Sequence, residues 1–401
     1  MRHLYLAATG MNRGKTTASL GLLDGFLGRG LEVGFTKPVG QRTVIQDGVP
    51  ADEDAVLMQS VFGLPDPLSV MSPVHIPRGF TKAYIDGEVV EDLGDRLRAA
   101  HATLGDREVV LIEGTGHAGV GAVVGLSNAS VAAMLDAPAV IVSEGGVGRP
   151  IDEIVLNAAL FARHGVEVAG AIVNKVDLDA QPRIERYLGR GLARHGIDLL
   201  GILPYRPILS SPTLAMVLEG LRAEPIWPGP DLDKVIDGVA VAAMSLGHVL
   251  ERMGPGTLVI VPADREDVIL AIASTHLIGP RTVEAVALEG RPLRDTPAGG
   301  WPDAGAPATP ADAPPEPQPA GVGLILTGGY RPGGPVLEAI RRADMFAALV
   351  ETDTYRAASD VHDLLVKTHP GDAGKIELIK RLVAEHLDVD RILSVARAPR
   401  A

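Results

Sequence analysis

The stretch Ala8-Thr9-Gly10-Met11-Asn12-Arg13-Gly14-Lys15-Thr16-Thr17 decides the fold. Residues 3–9 (HLYLAAT) before it form an apolar run of strand length, and after it the periodicity predicts a helix from Lys15 to Leu27. A Gly-bearing turn between a strand and a helix is the setting in which Gly-Lys-Thr acts as a phosphate loop. Amides of such a turn and of the first helical turn point at phosphate oxygens. Gly10, Asn12, Arg13, Gly14 and Thr17 would build that cradle, Lys15 would neutralise β- and γ-phosphate charge, and Thr16 would offer its hydroxyl to Mg²⁺. Thr9 stands at the first Gly position of the common G-x4-GK[ST] spacing. The competing reading is an ordinary strand–helix turn with a surface lysine.

Working outward, residues 31–37 read as the next strand, and Asp52 to Phe62 and residues 90–104 read as helices. Residues 107–113, 138–144, 168–174 and 199–205 are further apolar runs, the last three separated by helical segments at about 150–164 and 181–194. Apolar strands alternating with helices predict an α/β fold, a mostly parallel sheet with helices on both faces. This domain is expected over residues 1–210. The pattern restarts after Pro207: a largely helical 232–252, a strand at 256–263, a helix opened by Asp264-Arg265, a strand ending in Thr327-Gly328-Gly329, a last strand in FAALVETD and a helical tail from about 373. A second, smaller α/β domain is therefore expected over 212–401. Its Pro/Ala-rich segment at about 290–320, densest at 301–320, reads as an extended, mobile insertion.

Composition narrows the function. Across 401 residues the net charge is -13 and no Lys/Arg block occurs, so no nucleic-acid partner gripped over a wide surface is expected. Local phosphate binding needs only a few amides and one Lys. With aromatics at 3% the core must be aliphatic. The absence of Cys removes disulfides, thiolate zinc sites, Fe–S clusters and cysteine nucleophiles. Eleven His without H-E-x-x-H spacing predict no zinc. No apolar run approaches the ~18 residues of a membrane span, so no membrane partner is expected and the cytoplasm is the expected location.

Two more strand ends carry polar groups. Val109 to Ile112 lead into Glu113, Gly114 and Gly116; an acidic residue there reaches Mg²⁺ in phosphate-loop proteins. Asn174-Lys175-Val176-Asp177 matches N-K-x-D, in which the Asp carboxylate accepts from a guanine's N1–H and exocyclic amine; a polar turn is the alternative.

Together these residues resemble the dethiobiotin synthetase-like branch of phosphate-loop ATP-dependent enzymes. Its longer loop, G-x5-GK[ST], fits Ala8 to Thr16 with Ala8 in place of the first Gly. Lys37-Pro38-Val39, Asp52 and Asp54 in ADEDAV, and Glu113-Gly114 continue the resemblance. It implies that Lys37 contacts phosphate or substrate and that Asp54, Glu113 and Thr16 hold Mg²⁺, with Lys15, Lys37 and Glu113 as the catalytic set. The whole chain looks like the two N-terminal domains of long bacterial phosphate acetyltransferases and their free-standing relatives, the second being the DRTGG domain. The carrying stretches are FTKPVGQ, SPVHIPRGFTKAYIDG, Asp264-Arg265 and Thr327-Gly328-Gly329. The first domain is also similar to the ATPase half of cobyrinic acid a,c-diamide synthases, although glutamine-driven amidation needs a Cys nucleophile that this chain lacks. The resemblance implies a homodimer, and a chain stopping at Ala401 implies no acetyl-phosphate chemistry of its own. Met11, Asn12 and Arg13 depart from the family's substrate-binding residues, and Gly40 and Gln41 replace a hydroxyl residue that often follows the KPV run.

Arg78 and His117 lie near the expected cleft by analogy, as anion contacts or as plain loop residues. Asp264, Arg265, Thr327, Gly328 and Gly329 would form a small-ligand site if their strand ends are neighbours; otherwise Asp264 caps its helix and the glycines make a turn. Glu351 to Tyr355 is a further strand end of the same kind. Three functions compete. One is an enzyme that binds MgATP and passes its γ-phosphoryl to a small acidic metabolite near Lys37. Another is a regulatory module that binds nucleotide and acts on a partner enzyme. The third is a GTPase switch that rests on Asn174, Lys175 and Asp177.

Overall fold

The structure is a computed structural model that describes residues 1–278 and 323–397, apart from Arg78, Val90, Pro230, Pro255, Asp363 and Leu365. The Pro/Ala-rich insertion and Arg78 lie outside the described residues. The chain divides into two units, Met1–Arg206 with Thr368–Ala401, and Pro207–Lys367.

The first unit is built on a parallel sheet of six strands: β1 (Arg2–Ala8), β2 (Val33–Thr36), β7 (Val109–Glu113), β8 (Ala139–Glu144), β9 (Val168–Val176) and β10 (Leu199–Pro204). Their order is β10-β9-β8-β1-β7-β2. Between β2 and β7 lie four short strands: β3 (Val39–Gly40), β4 (Thr43–Gln46), β5 (Val49–Asp52) and β6 (Val74–His75). β1 is buried from His3 to Ala8 and lies between β7 and β8. Strands covered on both faces carry unbroken apolar runs, and here those runs are Val, Leu, Ile and Ala, as an aromatic-poor chain requires. Tyr5 in β1 and Phe35 in β2 are exceptions, and Tyr5 meets Phe161 of the helix Gly148–Arg163 edge-to-face at 6.3 Å.

The β4–β5 hairpin is antiparallel, with Gln46 opposite Val49. Asp47 and Gly48 at its tip both have positive φ, 51° and 78°, the geometry of a two-residue type I′ turn. The hairpin delivers Asp52 to the start of helix α2 (Glu53–Phe62), where its carboxylate accepts from the Asp54 amide at 3.1 Å. α1 (Lys15–Leu27) opens directly after Gly14, whose φ of 94° needs a residue without Cβ.

The tail differs from the expectation that 212–401 is one domain. The helices Ala373–His386 and Val389–Val395 belong to the first unit. Gly21 on α1 presses against Val383, and a Cβ there would overlap it. Arg29 grips Asp390 through Nε at 2.7 Å and a terminal nitrogen at 2.9 Å. Arg397 exchanges two backbone hydrogen bonds with His3. Helical periodicity shows that a face is apolar; it does not say which sheet will cover it.

The second unit holds β11 (Glu224–Trp227), β12 (Gly238–Val241), β13 (Thr257–Pro262), β14 (Gly323–Thr327) and β15 (Ala347–Leu349) in the order β11-β15-β14-β13-β12. All pairs are parallel except β11–β15 at the edge. Residues 232–252 are not largely helical: β12 runs beside β13, and only Leu246–Leu250 is helix. Val239 and Val241 alternate with small residues there, and pairing with β13 overrides a weak helical pattern. Among the described residues no helix is long and apolar enough to cross a membrane.

Candidate nucleotide and metal site

Four elements meet at the carboxyl ends of β2 and β7 and the start of α1. Lys37 follows β2, Glu113 ends β7, Asp54 sits in the first turn of α2 and Thr16 in the first turn of α1. Lys37 Nζ donates to Asp54 Oδ2 at 2.6 Å, to Glu113 Oε1 at 2.8 Å and to the Gly114 carbonyl at 3.4 Å. The Thr16 hydroxyl lies 3.2 Å from both Asp54 Oδ1 and Glu113 Oε1. Lys37, Asp54 and Glu113 are all buried, as is Lys15. Burial opposes a charge on Lys37, but Asp54, Glu113 and Asp52 outweigh it and push its pKa above the ordinary value.

The donor set suits a hard divalent cation. Glu113 is 0% exposed, and its Oε2 has no hydrogen-bond partner among the described residues. An orphan carboxylate oxygen costs stability unless something pairs with it. Hydroxyl and carboxylate oxygens, with room for phosphate and water, are what Mg²⁺ takes. Gly40 is needed beside this site, because a Cβ there would lie 2.8 Å from the Asp52 Cβ. A larger residue at the position of the family's hydroxyl side chain would displace the Asp52 cap.

The phosphate loop is held from the other side. Asn12 has a φ of 56°, and the Gly10 Cα faces the Arg13 guanidinium. Asn174 Nδ2 donates to the Arg13 carbonyl at 3.2 Å, and its Oδ1 accepts from the Lys175 amide at 2.8 Å. Lys175 Nζ donates to the Asn12 carbonyl at 3.0 Å and to Glu144 Oε1 at 2.7 Å. Glu144 Oε2 pairs with Arg13. Burial, aided by Arg13, lowers the Lys175 pKa. Thus Asn174 and Lys175 touch the phosphate loop, whereas Asp177 is exposed and caps its own turn, accepting from the Asp179 amide at 3.1 Å.

Sequence reasoning missed three residues. Asn128, 4% exposed, takes Oδ1 hydrogen bonds from the Tyr5 hydroxyl at 2.8 Å and the Thr115 amide at 3.0 Å. Its Nδ2 donates to the carbonyls of Thr115 and His117. These bonds fix the loop after Glu113. In sequence, Ser127-Asn128 reads only as a helix start, since the fold of the preceding loop and the distant Tyr5 supply its partners. Tyr5 lies inside an apolar strand run, and Glu144 closes one as Glu113 does, a signal that sequence reasoning passed over. His117 is exposed and accepts from the Gly119 amide, as a turn residue does.

In the second unit β13 and β14 are neighbours, with Pro262 opposite Thr327. The Ala263 amide donates to the Thr327 carbonyl at 3.0 Å, so Asp264 and Arg265 share an edge with Thr327, Gly328 and Gly329. Arg265 is turned onto Asp267 through two hydrogen bonds, at 3.0 and 3.1 Å. The Thr327 hydroxyl pairs with Thr354 at 2.7 Å. Gly328 and Gly329 have φ of 90° and 73°, and their amides donate to Thr352 and Val350 carbonyls, tying this segment to the residues after β15. Asp353 caps its helix through the Arg356 amide, and Tyr355 is exposed.

Residues 2–213 match the AAA domain family and residues 216–291 match the DRTGG domain. The chain is 28% identical over 410 residues to a phosphate acetyltransferase of Pseudomonas putida, an alignment covering 97% of this chain and 51% of that protein. It is 30% identical over 290 residues to the phosphate acetyltransferase of Deinococcus radiodurans, covering 70% of this chain and 40% of that one. The chain spans about half the length of the first of these relatives. Among solved structures, the MinD cell division protein of Aquifex aeolicus aligns at 15% identity and a TM-score of 0.32, over 52% of this chain and 84% of that chain.

Proposed function

This chain belongs to the AAA domain family, and from that premise we infer that its first unit binds a magnesium nucleotide, ATP with GTP as the competing base, and transfers the γ-phosphoryl group to a small carboxylic acid. The observation that carries this reading is the convergence of the Thr16 hydroxyl with Asp54 and Glu113, one Glu113 oxygen being buried and unpartnered. Those three residues would hold Mg²⁺, which when bound supplies positive charge against the phosphates. Lys15 and the amides at the start of α1 bind and orient the phosphate chain. Lys37, kept charged by its two carboxylate partners, would turn its ammonium to the acid or the transferred group when the ligands are bound. In such chemistry a protein contributes position and charge stabilisation rather than a covalent step. Asn174 and Lys175 brace the loop below the base, and Asp177 is the group left to read a guanine. The second unit would take a small ligand at Asp264, Arg265 and the Thr327–Gly329 turn.

Phosphate release with a panel of carboxylic acids tests the enzyme reading. Acid-dependent turnover supports it. Rates below ~10⁻³ s⁻¹ with every acid contradict it, given turnover of roughly 1–10³ s⁻¹ in ordinary enzymes.

A second reading is favoured by the match to about half of each phosphate acetyltransferase. Here nucleotide binding without turnover, together with the DRTGG domain, senses metabolic state and acts on an enzyme of acetyl-phosphate metabolism. Tight nucleotide binding with no acid-dependent release selects it.

A further inference from the structure

Glu144, the last residue of β8, joins two loops of the site, and the proposed phosphoryl transfer gives it no role of its own. Its two carboxylate oxygens are divided between two loops: Oε2 pairs with Arg13 of the phosphate loop and Oε1 with Lys175 of the Asn-Lys-Val-Asp segment. Lys175 Nζ also donates to the Asn12 carbonyl, and Asn174 Nδ2 to the Arg13 carbonyl. Both Asn12 and Lys175 hold positive φ, 56° and 57°, a conformation that costs a non-glycine residue free energy and persists only when its surroundings fix it. Glu153 lies at 3.7 Å from the Arg13 guanidinium and is also hydrogen-bonded by Arg149, so it does not replace Glu144 in bridging to Lys175. Gly145 lets the end of β8 approach this far: a Cβ there would lie 2.8 Å from the Lys175 carbonyl oxygen.

We propose that Glu144 is a positioning residue that holds the phosphate loop and the base-side segment in one fixed register, and thereby sets affinity for a whole nucleotide without touching it. The proposal rests on the nucleotide reading of this site. Its physical basis is effective concentration. Two subsites held at the right separation bind a linked ligand far more tightly than subsites that drift, although each subsite alone binds its fragment unchanged. Lys175 and Arg13 are only partly exposed, so the shared carboxylate acts at close range with limited screening.

The test compares wild type with Glu144→Gln, using MgATP, MgGTP and magnesium pyrophosphate as probes in calorimetric titrations, with thermal unfolding as a check on folding. The expected result is a loss of about tenfold in affinity for the whole nucleotide, with pyrophosphate binding within about twofold of wild type. Lys175→Met should cause a similar loss, and the double variant should be no weaker than the weaker single one, because both break the same link. An unchanged nucleotide affinity in Glu144→Gln overturns the proposal while leaving the nucleotide reading intact. So does an equal loss for pyrophosphate, which marks local damage to the phosphate loop. A wild-type protein that binds neither nucleotide overturns the nucleotide reading and this proposal with it. Should Glu144→Gln fail to fold, Lys175→Met with the same probes decides the matter on the same criteria.

Discussion

The ammonium of Lys37 lies 2.6 Å from the carboxylate of Asp54, and both side chains are buried. Glu113 completes the cluster at 2.8 Å from the same nitrogen. Removing one partner from such an arrangement leaves uncompensated buried charge, which costs about 3–5 kcal/mol. Lys37→Met is therefore expected to lower the melting temperature of the protein by roughly 6–20 °C, at 2–4 °C per kcal/mol for a unit of this size. Millimolar Mg²⁺ should restore part of the loss, because Asp54 and Glu113 would regain a counter-charge. Thermal unfolding with and without Mg²⁺ measures both effects, and an unchanged melting temperature would count against the cluster.

Asn128→Ala removes four hydrogen bonds at once, two of them to backbone groups of Thr115. Leaving buried partners unsatisfied costs about 1–3 kcal/mol each, relieved where water enters. The variant should melt lower and should need more Mg²⁺ for half-maximal nucleotide binding, because the strand end that presents Glu113 is no longer fixed. Equal Mg²⁺ requirement in the two proteins would place Asn128 in folding only.

His101 and His3 meet through their Nε2 atoms at 3.1 Å in a buried pair. Burial, with His3 beside it, lowers the His101 pKa from 6.5 to about 4. The unfolded chain therefore takes up a proton near pH 6.5 while the folded chain refuses it until about pH 4. Stability from this group is fully present above the upper value and is lost as pH falls through that window, by about 3 kcal/mol at most. His101→Gln should flatten the decline in melting temperature between neutral and mildly acid pH. The same slope in both proteins would remove His101 as its source.

Gly21 meets Val383 of the returning tail, with no room for a side chain between them. Gly21→Leu should cost about 1–3 kcal/mol through overpacking, even though Leu is the better helix former. Val383→Ala in the same chain should recover much of it. Absence of any recovery would argue that the tail does not pack on α1.

The phosphate loop, Lys37 and Glu113 were legible because each closes an apolar strand, and parallel strands bring such ends to one edge. Asp54 was reached through family resemblance; the Asp47-Gly48 turn that positions its helix was present in the sequence and unread. Glu144 closes β8 as Glu113 closes β7, but its pairing with Arg13, more than a hundred positions earlier, is not written in the sequence, nor is that of Asn128 with Tyr5. The destination of the tail was hidden for the same reason. Its amphipathic pattern fits either sheet, and contacts such as Gly21–Val383, Arg29–Asp390 and His3–Arg397 set its place on the first.

The central claim, a magnesium nucleotide held by Lys15 and Thr16 against Asp54 and Glu113, is tested most directly by calorimetric titration of ATP and GTP, with and without Mg²⁺, into wild type and Lys15→Ala. Wild type should bind one of the two nucleotides at micromolar concentration, more tightly with Mg²⁺, and Lys15→Ala should lose roughly a hundredfold, the worth of one or two charge-assisted hydrogen bonds. Binding of neither nucleotide by wild type, or equal binding by Lys15→Ala, would contradict it.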